Sequence, residues 1–324
     1  MGGLGWSVVG VVFAAFVGTQ AAYFLINTLA IAFLYTRPEH VVPEESPTEY
    51  PQLHVLMPVY EEPGAIVEGT LENIYASAYP RDHLSVTLIH EADDTRVAGY
   101  LDGLRRAAIQ NGVEFRAIEV DRDQIEVDTP GTSWLNTGQP DPAPRTKAAA
   151  LRYAFRTRAF DPDDVVTVFD ADTRAPPELF ALGVRGLEDY DIVQAKQTVR
   201  NREAGWLPRL EAMGIAAWSH IIYPRTSGGP YQLLGKGYFT TVDTLEALDD
   251  WHPASITEDM RLGLDASAAG YSLGVIDRYV QDLCPAAPGS GSARKRAGSP
   301  ARIGRVGTAP SRRWTRSGSC STPR

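Results

Sequence analysis

Val165-Val166-Thr167-Val168-Phe169-Asp170-Ala171-Asp172-Thr173 is a β-branched, apolar run that stops abruptly at two carboxylates. Such a run suits a strand buried on both faces of a parallel sheet. In open α/β sheets, ligands bind just outside the carboxyl ends of the strands, which is where Asp170 and Asp172 fall. One residue separates them, so an extended backbone would send both side chains to the same face. Hard oxygen ligands there suit Mg2+ or Mn2+, and a divalent ion suits a diphosphate. Taken alone, the Asp-x-Asp pair reads at least as well as a surface turn with two solvated carboxylates.

The neighbouring segments repeat the pattern of a strand followed by an amphipathic helix, the signature of a mostly parallel α/β sheet. Strands are expected at Leu53–Val59, Leu84–Ile89, Phe115–Val120 and Asp191–Val199, with helices over Gly64–Ser77, Val97–Gln110 and Thr146–Arg158. A further helix starts near Pro176-Pro177. Asn111-Gly112 is a helix stop. Asp121–Arg145 reads as a long loop. Later come a broad amphipathic helix, Gly205–Tyr223, and a β element over Tyr231–Val242 broken by Gly235 and Gly237. A helix over Thr257–Ala269 and a short strand, Tyr271–Ile276, close the series. Trp206, Met213 and Trp218 are expected to serve helix packing rather than a sugar platform.

The ends of the chain differ from this middle. No charged residue occurs from Met1 to Thr36, and the apolar part runs from about Trp6 to Tyr35. That exceeds the roughly 20 residues a bilayer span needs. A secretory signal would carry a basic start and an apolar part of only about 7–15 residues, so a membrane anchor fits better. Trp6 and Tyr35 fall where interfacial aromatics belong. Gln20 and Asn27 would be more comfortable facing a partner helix than lipid. Arg37 follows the span and nothing basic precedes it, which places the rest of the chain in the cytoplasm, on a single-pass anchor in the cell membrane. Residues 37–51 are rich in Pro and Glu and read as a linker. Residues 52–285 would form the catalytic domain. Residues 286–324 are Arg, Gly, Ser, Ala and Pro with few core formers, a composition that reads as a disordered basic tail.

Charge excludes one class of partner. The chain carries 31 basic and 40 acidic residues, a net −9, and nine of the bases lie after Pro285 with no acid among them. A body this acidic is not a nucleic-acid binder. Cys284 and Cys320 make neither a disulfide framework nor a metal set.

Five segments fall at strand or helix ends: Pro58-Val59-Tyr60-Glu61-Glu62, Asp93-Asp94, Lys147-Ala148-Ala149-Ala150-Leu151, Asp170-Ala171-Asp172 and Thr257-Glu258-Asp259. Each also has a plain structural reading. Glu61, Glu62, Glu258 and Asp259 could be first-turn acids that answer a helix dipole, Thr257 an N-cap, and Lys147 an exposed helical lysine. In this order and at this spacing, over roughly residues 50–285, they resemble the inverting glycosyltransferases of family 2, the group that includes cellulose, chitin and hyaluronan synthases.

The resemblance implies a Rossmann-like, nucleotide-sugar-binding domain of the GT-A type, with a mostly parallel sheet preceded by one transmembrane helix. It implies that Pro58, Tyr60 and Glu62 line the nucleotide pocket and that Asp93 or Asp94 contacts the base or ribose. Lys147 would lie near the nucleotide. Asp170 and Asp172 would hold the donor, with Asp172 the better metal ligand. Asp259, beside Glu258, would be the general base. Mg2+ or Mn2+, a nucleoside diphosphate sugar (UDP-sugar first) and a lipid or saccharide acceptor follow as cofactor and partners. Gly235-Lys236-Gly237-Tyr238-Phe239 resembles an acceptor-side loop, and reads as well as a strand bend.

Chemistry agrees with these residue types. A leaving diphosphate gathers charge that a divalent cation stabilises. An acceptor hydroxyl needs a base set apart from the metal carboxylates. Glycosidases also pair carboxylates but need no diphosphate-binding strand end. A dinucleotide-binding dehydrogenase is disfavoured, because Val59-Tyr60-Glu61-Glu62-Pro63-Gly64 is not Gly-x-Gly-x-x-Gly.

The chain departs from the family at one place. Many members carry Gln-x-x-Arg-Trp soon after a Cys-Pro pair. Cys284-Pro285 is present, but no such motif follows closely, and the later Arg313-Trp314 has Pro310 where Gln would stand. This leads to the expectation of a member truncated at its C-terminus. The alternative to an active transferase is then an inactive protein that at most binds nucleotide sugar.

Overall fold

The computed structural model describes residues 2–125, 145–226 and 232–284, with only the backbone for residues 2–7. Most of the Asp121–Arg145 loop, Tyr231, the 286–324 tail with Cys320 and Arg313-Trp314, and the side chain of Trp6 lie outside the described residues.

Helix α1 spans Gly2–Leu34. Its stretch Val8–Leu34 is long and apolar enough to cross a membrane, and none of it is buried in the protein. The polar Asn27 turns its amide back along the helix and donates to the Tyr23 carbonyl one turn earlier at 2.7 Å.

The body alternates β1 (Leu53–Val59), α2 (Gly64–Tyr75), β2 (Leu84–Glu91), α3 (Thr95–Asn111), β3 (Glu114–Val120), α4 (Lys147–Arg156), β4 (Val165–Val168), α5 (Leu179–Gly186) and β5 (Ile192–Val199). Then follow α6 (Trp206–Ala216), β6 (Tyr238–Thr241), α7 (Val242–Ala247), α8 (Glu258–Ala269) and β7 (Leu273–Asp282). Seven strands form one sheet in the order β3-β2-β1-β4-β6-β5-β7. All neighbours run parallel except β6, which is antiparallel to both β4 and β5.

The strands are apolar because both faces are covered. Along β1, Leu53, Val55, Met57 and Val59 join one core with Leu71 of α2, Leu104 of α3 and Phe180 of α5. Leu56 joins the other with Leu151 and Phe155 of α4 and Leu262 of α8. Gly112 ends α3 in the left-handed region at φ 68°, as its sequence signal anticipates.

Three expectations need adjusting. The Tyr231–Val242 element is strand only from Tyr238, because Gly235 (φ 84°) and Gly237 (φ 64°) turn the chain before it. β7 is longer than expected and carries the chain to Asp282. The linker composition of residues 37–51 conceals an attachment. The Val42 N–H donates to the Val275 carbonyl at 2.9 Å, and the Val275 N–H donates to His40 at 2.7 Å. That covers part of the outer edge of β7.

One buried group gives the fold a pH dependence. His54 on β1 is buried; its Nδ1 lies 2.6 Å from Ser85 Oγ and its Nε2 2.9 Å from Asp164 Oδ2. Burial lowers its pKa below the ordinary 6.5, more than Asp164 raises it. The unfolded chain therefore takes up this proton first on acidification. Stability from neutral His54 is complete above about pH 6.5 and declines as pH falls through the window below it. Thermal melts at neutral and mildly acidic pH are expected to show a larger drop for the wild type than for His54→Gln.

Candidate active site

The strand ends build a pocket. A cavity of about 160 Å³ is lined by Pro58, Val59, Tyr60 and Glu62 after β1, and by Ile89 and Glu91 on β2. Arg122 after β3, Arg145, Thr146, Lys147 and Ala150 around the start of α4, and Asp170 and Ala171 after β4 complete it. This is where a doubly wound sheet places its ligand.

Each wall has a local cause. Glu61 takes a left-handed backbone (φ 53°), unusual for a residue with a β-carbon. Its N–H donates to Asp94 Oδ2 at 2.7 Å, and Arg96 donates to its carbonyl at 3.0 Å. Asp94 also caps α3, accepting from the N–H groups of Arg96 at 3.1 Å and Val97 at 3.4 Å. Asp94 is thus spent on backbone. Asp93 instead accepts from the pocket residue Arg145 at 2.6 Å. Thr146 caps α4 through the Ala149 N–H at 3.0 Å and so fixes where Lys147 begins the helix.

The two aspartates of the motif do not share a strand face. β4 ends at Val168, and Asp170 to Thr173 is a turn closed by the Thr173 N–H to the Asp170 carbonyl at 3.0 Å. The Asp170 N–H donates to Thr173 Oγ1 at 3.1 Å. The turn gives the two side chains different surroundings. Asp170 lines the cavity, whereas Asp172 is 2% exposed and accepts from the Leu283 N–H at 3.0 Å.

Lysines stand against these carboxylates. Lys147 Nζ is 2.9 Å from Asp170 Oδ1, 3.4 Å from Glu258 Oε1 and 2.7 Å from the Gly235 carbonyl. Lys236 Nζ is 3.5 Å from Asp170 Oδ2 and pairs with Asp282. Burial would lower both lysine pKa values, but Asp170, with Glu258 for Lys147 and Asp282 for Lys236, more than offsets this and holds both above the ordinary value. Both stay protonated at neutral pH. Burial raises the pKa of Glu258, and Lys147 pulls against it.

Glu258 and Asp259 open α8. Thr257 occupies the N-cap position, yet its side chain makes no capping hydrogen bond. Glu258 is buried beside Lys147, while Asp259 is partly exposed and approaches Gly235. A β-carbon at Gly235 would lie 3.2 Å from Asp259 Oδ2.

Among the described residues, no group of three or more His, Cys, Asp or Glu side chains is arranged to hold a metal ion. Magnesium-type ions usually take one or two carboxylates and leave the remaining positions to water and substrate phosphate. Asp170, a hard oxygen donor on the cavity wall, fits that requirement; Asp172 lies behind it.

A model of glycosyl transferase family group 2 matches residues 165–315, from the first residue of β4 to just past Trp314. A curated relative from Synechocystis, beta-monoglucosyldiacylglycerol synthase, is 22% identical over 258 residues, covering 78% of this chain and 48% of its own length. The chain therefore spans about half of that relative. A mannosyltransferase from Pyrobaculum calidifontis, solved with GDP-Man and Mn2+, superimposes with a TM-score of 0.58 at 20% identity, covering 83% of this chain and 68% of that one. The GalNAc-T7 structure with UDP, GalNAc and Mn2+ gives a TM-score of 0.50 at 11% identity, covering 73% and 44%.

Together these likenesses support a glycosyltransferase family 2-like protein.

The sequence-derived set is only partly assembled at one cavity. Pro58, Tyr60, Glu62, Lys147 and Asp170 line it, Glu258 reaches it through Lys147, and Asp93 through Arg145. Asp94 and Asp172 are buried behind it. Sequence reasoning passed over Asp282 and the Glu91–Arg122 ion pair, and it read Lys236 as part of an acceptor-side loop or strand bend rather than as a partner of Asp170 and Asp282. The Gly-Lys-Gly pattern was the available signal for Lys236, since two left-handed glycines aim the residue between them.

A close approach holds α8 in place. A β-carbon at Gly263 would lie 2.6 Å from the Leu233 backbone nitrogen and 2.7 Å from Gln232 Cα. Gly263→Ala is expected to cost about 1–3 kcal/mol in chemical denaturation, the usual range for overpacking. Gly99→Ala on α3, where a β-carbon meets nothing within 4 Å, is expected to be neutral or stabilising.

Proposed function

We propose that the chain is a membrane-anchored glycosyltransferase that moves a sugar, with inversion, from a nucleoside diphosphate sugar to a hydroxyl of a lipid or saccharide. The observation that carries this is the separation of roles around one cavity. Asp170 and Lys147 stand on its wall, while Asp259 arrives independently on α8. A UDP-sugar is the donor the motifs favour. The GDP-Man and Mn2+ of the Pyrobaculum structure support a nucleoside diphosphate sugar in general, and the name of the Synechocystis relative supports a lipid acceptor.

Pro58, Tyr60 and Glu62 would bound the nucleotide, with Asp93 and Arg145 beside it. Lys147 and Lys236, both protonated, would meet the diphosphate. Asp170, with Asp172 buttressing the turn, would hold Mg2+ or Mn2+; when bound, such an ion neutralises charge on the leaving diphosphate. Asp259 would take the proton of the acceptor hydroxyl as it attacks the anomeric carbon from the face opposite the departing diphosphate. Helix α1 would anchor the chain, with the catalytic domain in the cytoplasm.

Titration calorimetry of the solubilised full chain with UDP and with GDP, each with and without Mn2+, tests this. Mn2+-dependent binding of one nucleotide, lost in Asp170→Asn, is the expected result. No binding of either nucleotide would overturn the proposal. Binding without sugar transfer to any acceptor would identify a binding protein instead.

A further inference from the structure

Helix α6 packs on β5 and buries Pro208, and Trp218 just beyond it is half-buried, but three of its large apolar side chains stay outside. Trp206 is 65% exposed, Leu210 58% and Met213 71%. They recur at i, i+4 and i+7, so they form one stripe on one side of the helix. Three large apolar side chains left in water on a single stripe mark an interaction surface.

Two further observations say what covers it. The first is continuity with α1. The chain runs from α6 through a π-helical turn, Ala217–Ile222, which packs against α1, into Tyr223–Arg225. Arg225 stacks over the Tyr35 ring at 4.5 Å and pairs with Glu39, and the His40 N–H donates to the Pro224 carbonyl at 3.2 Å. The stripe is thereby tied to the end of α1 that emerges from the bilayer. The second is charge. Residues 200–226 hold Arg200, Arg202, Arg209 and Arg225 against Glu203 and Glu211, a net positive segment in an otherwise strongly acidic body. A second exposed apolar row among the described residues, Ile256, Met260 and Leu264, is interspersed with Glu258, Asp259 and Asp265 against Arg261 alone, a net negative segment that lacks this complementarity to an anionic surface. Trp on an apolar face with arginines beside it is the composition of a helix lying in a lipid headgroup layer.

We propose that α6 lies on the bilayer surface as a second membrane contact, with Trp206, Leu210 and Met213 inserted among anionic headgroups. This rests on the reading that α1 spans the bilayer, and it fixes the side of the domain that faces lipid. Gln197 on β5 links this segment to the residues just before β6, at the Gly235 side of the cavity: its backbone N–H donates to Ser219 Oγ of the π-helical turn at 3.3 Å, and its side-chain amide donates to the Leu234 carbonyl.

The full chain carrying Cys284→Ser and Cys320→Ser is labelled with an environment-sensitive fluorophore at Met213→Cys, at Phe16→Cys in α1, or at Ile109→Cys on α3. Each is placed in nanodiscs of phosphatidylcholine and phosphatidylglycerol, with or without a headgroup-proximal doxyl lipid quencher. The expected result is a blue-shifted Met213 label that loses emission with the quencher, and an Ile109 label that does not. The Met213 signal should weaken when phosphatidylglycerol is omitted. A quenched Phe16 label with an unquenched Met213 label would overturn this proposal and leave the anchor standing. An unquenched Phe16 label with a quenched Met213 label would overturn the anchor and leave α6 as the contact. A blue-shifted Met213 label that ignores the quencher would mean that protein covers the face, and would overturn the proposal as well.

Discussion

Asp259→Asn is expected to lower sugar transfer by ~10²–10⁴-fold, the usual worth of a positioned general base, while nucleotide binding survives. The asymmetry between the two acids at the start of α8 underlies this. Glu258 is buried and faces Lys147, so it belongs to the charge balance of the cavity wall. Asp259 is partly exposed and points toward the Gly235 turn, where a hydroxyl can reach it. Glu258→Gln should therefore behave differently, weakening nucleotide binding and stability together. Initial rates and nucleotide titrations on both variants separate the two roles. An Asp259→Asn enzyme with wild-type turnover would remove it from the mechanism.

Lys147→Met is expected to cost about 3 kcal/mol of stability, the low end for breaking a buried ion pair because a quarter of the Lys147 side chain is exposed, and to abolish nucleotide binding. Its ammonium faces Asp170 and Glu258 at once. Removing it takes away the charge that stands between these two carboxylates, while Lys236 stays near Asp170. Denaturant midpoints measure the first effect and calorimetry the second. Lys147→Arg should recover part of the stability, since it keeps the charge, but not the donation to the Gly235 carbonyl, which the compact ammonium makes at 2.7 Å.

Much of this arrangement was legible in the residues. Continuous β-branched runs such as Val165–Val168 identify strands buried on both faces, and the polar residues just past them identify the ligand-binding edge. What stayed hidden depends on tertiary context. Tyr238–Thr241 is four residues long, and nothing in it states that it runs antiparallel between two other strands. Asp170 and Asp172 look like alternate residues of a strand, but the strand stops two residues earlier and a turn decides where they point. Asp282 closes a strand whose end alternates like a solvent-facing one, so its proximity to Lys236 follows only from the sheet order. The periodicity of α6 tells which side chains share a stripe, not what lies against it: of the three side chains expected to pack, Trp218 is half-buried while Trp206 and Met213 are exposed.

The placement of β6 also sets an order of assembly. β3, β2, β1 and β4 are contiguous in the sheet and complete by Val168, so they can associate as soon as that much chain has left the ribosome. The next place in the sheet, beside β4, stays open until Tyr238–Thr241 has been synthesised, some 70 residues later, and only then can β5 and β7 be seated beyond it. During that interval β4 presents an unpaired edge, the kind of surface on which nascent chains misassociate. The cavity is divided in the same way. Lys147 and Asp170 belong to the early half, whereas Lys236, Asp259 and Asp282 arrive with the late one. Nucleotide binding should therefore appear as the last event of folding, and ligand present during synthesis should act on the closing step rather than on the nucleus.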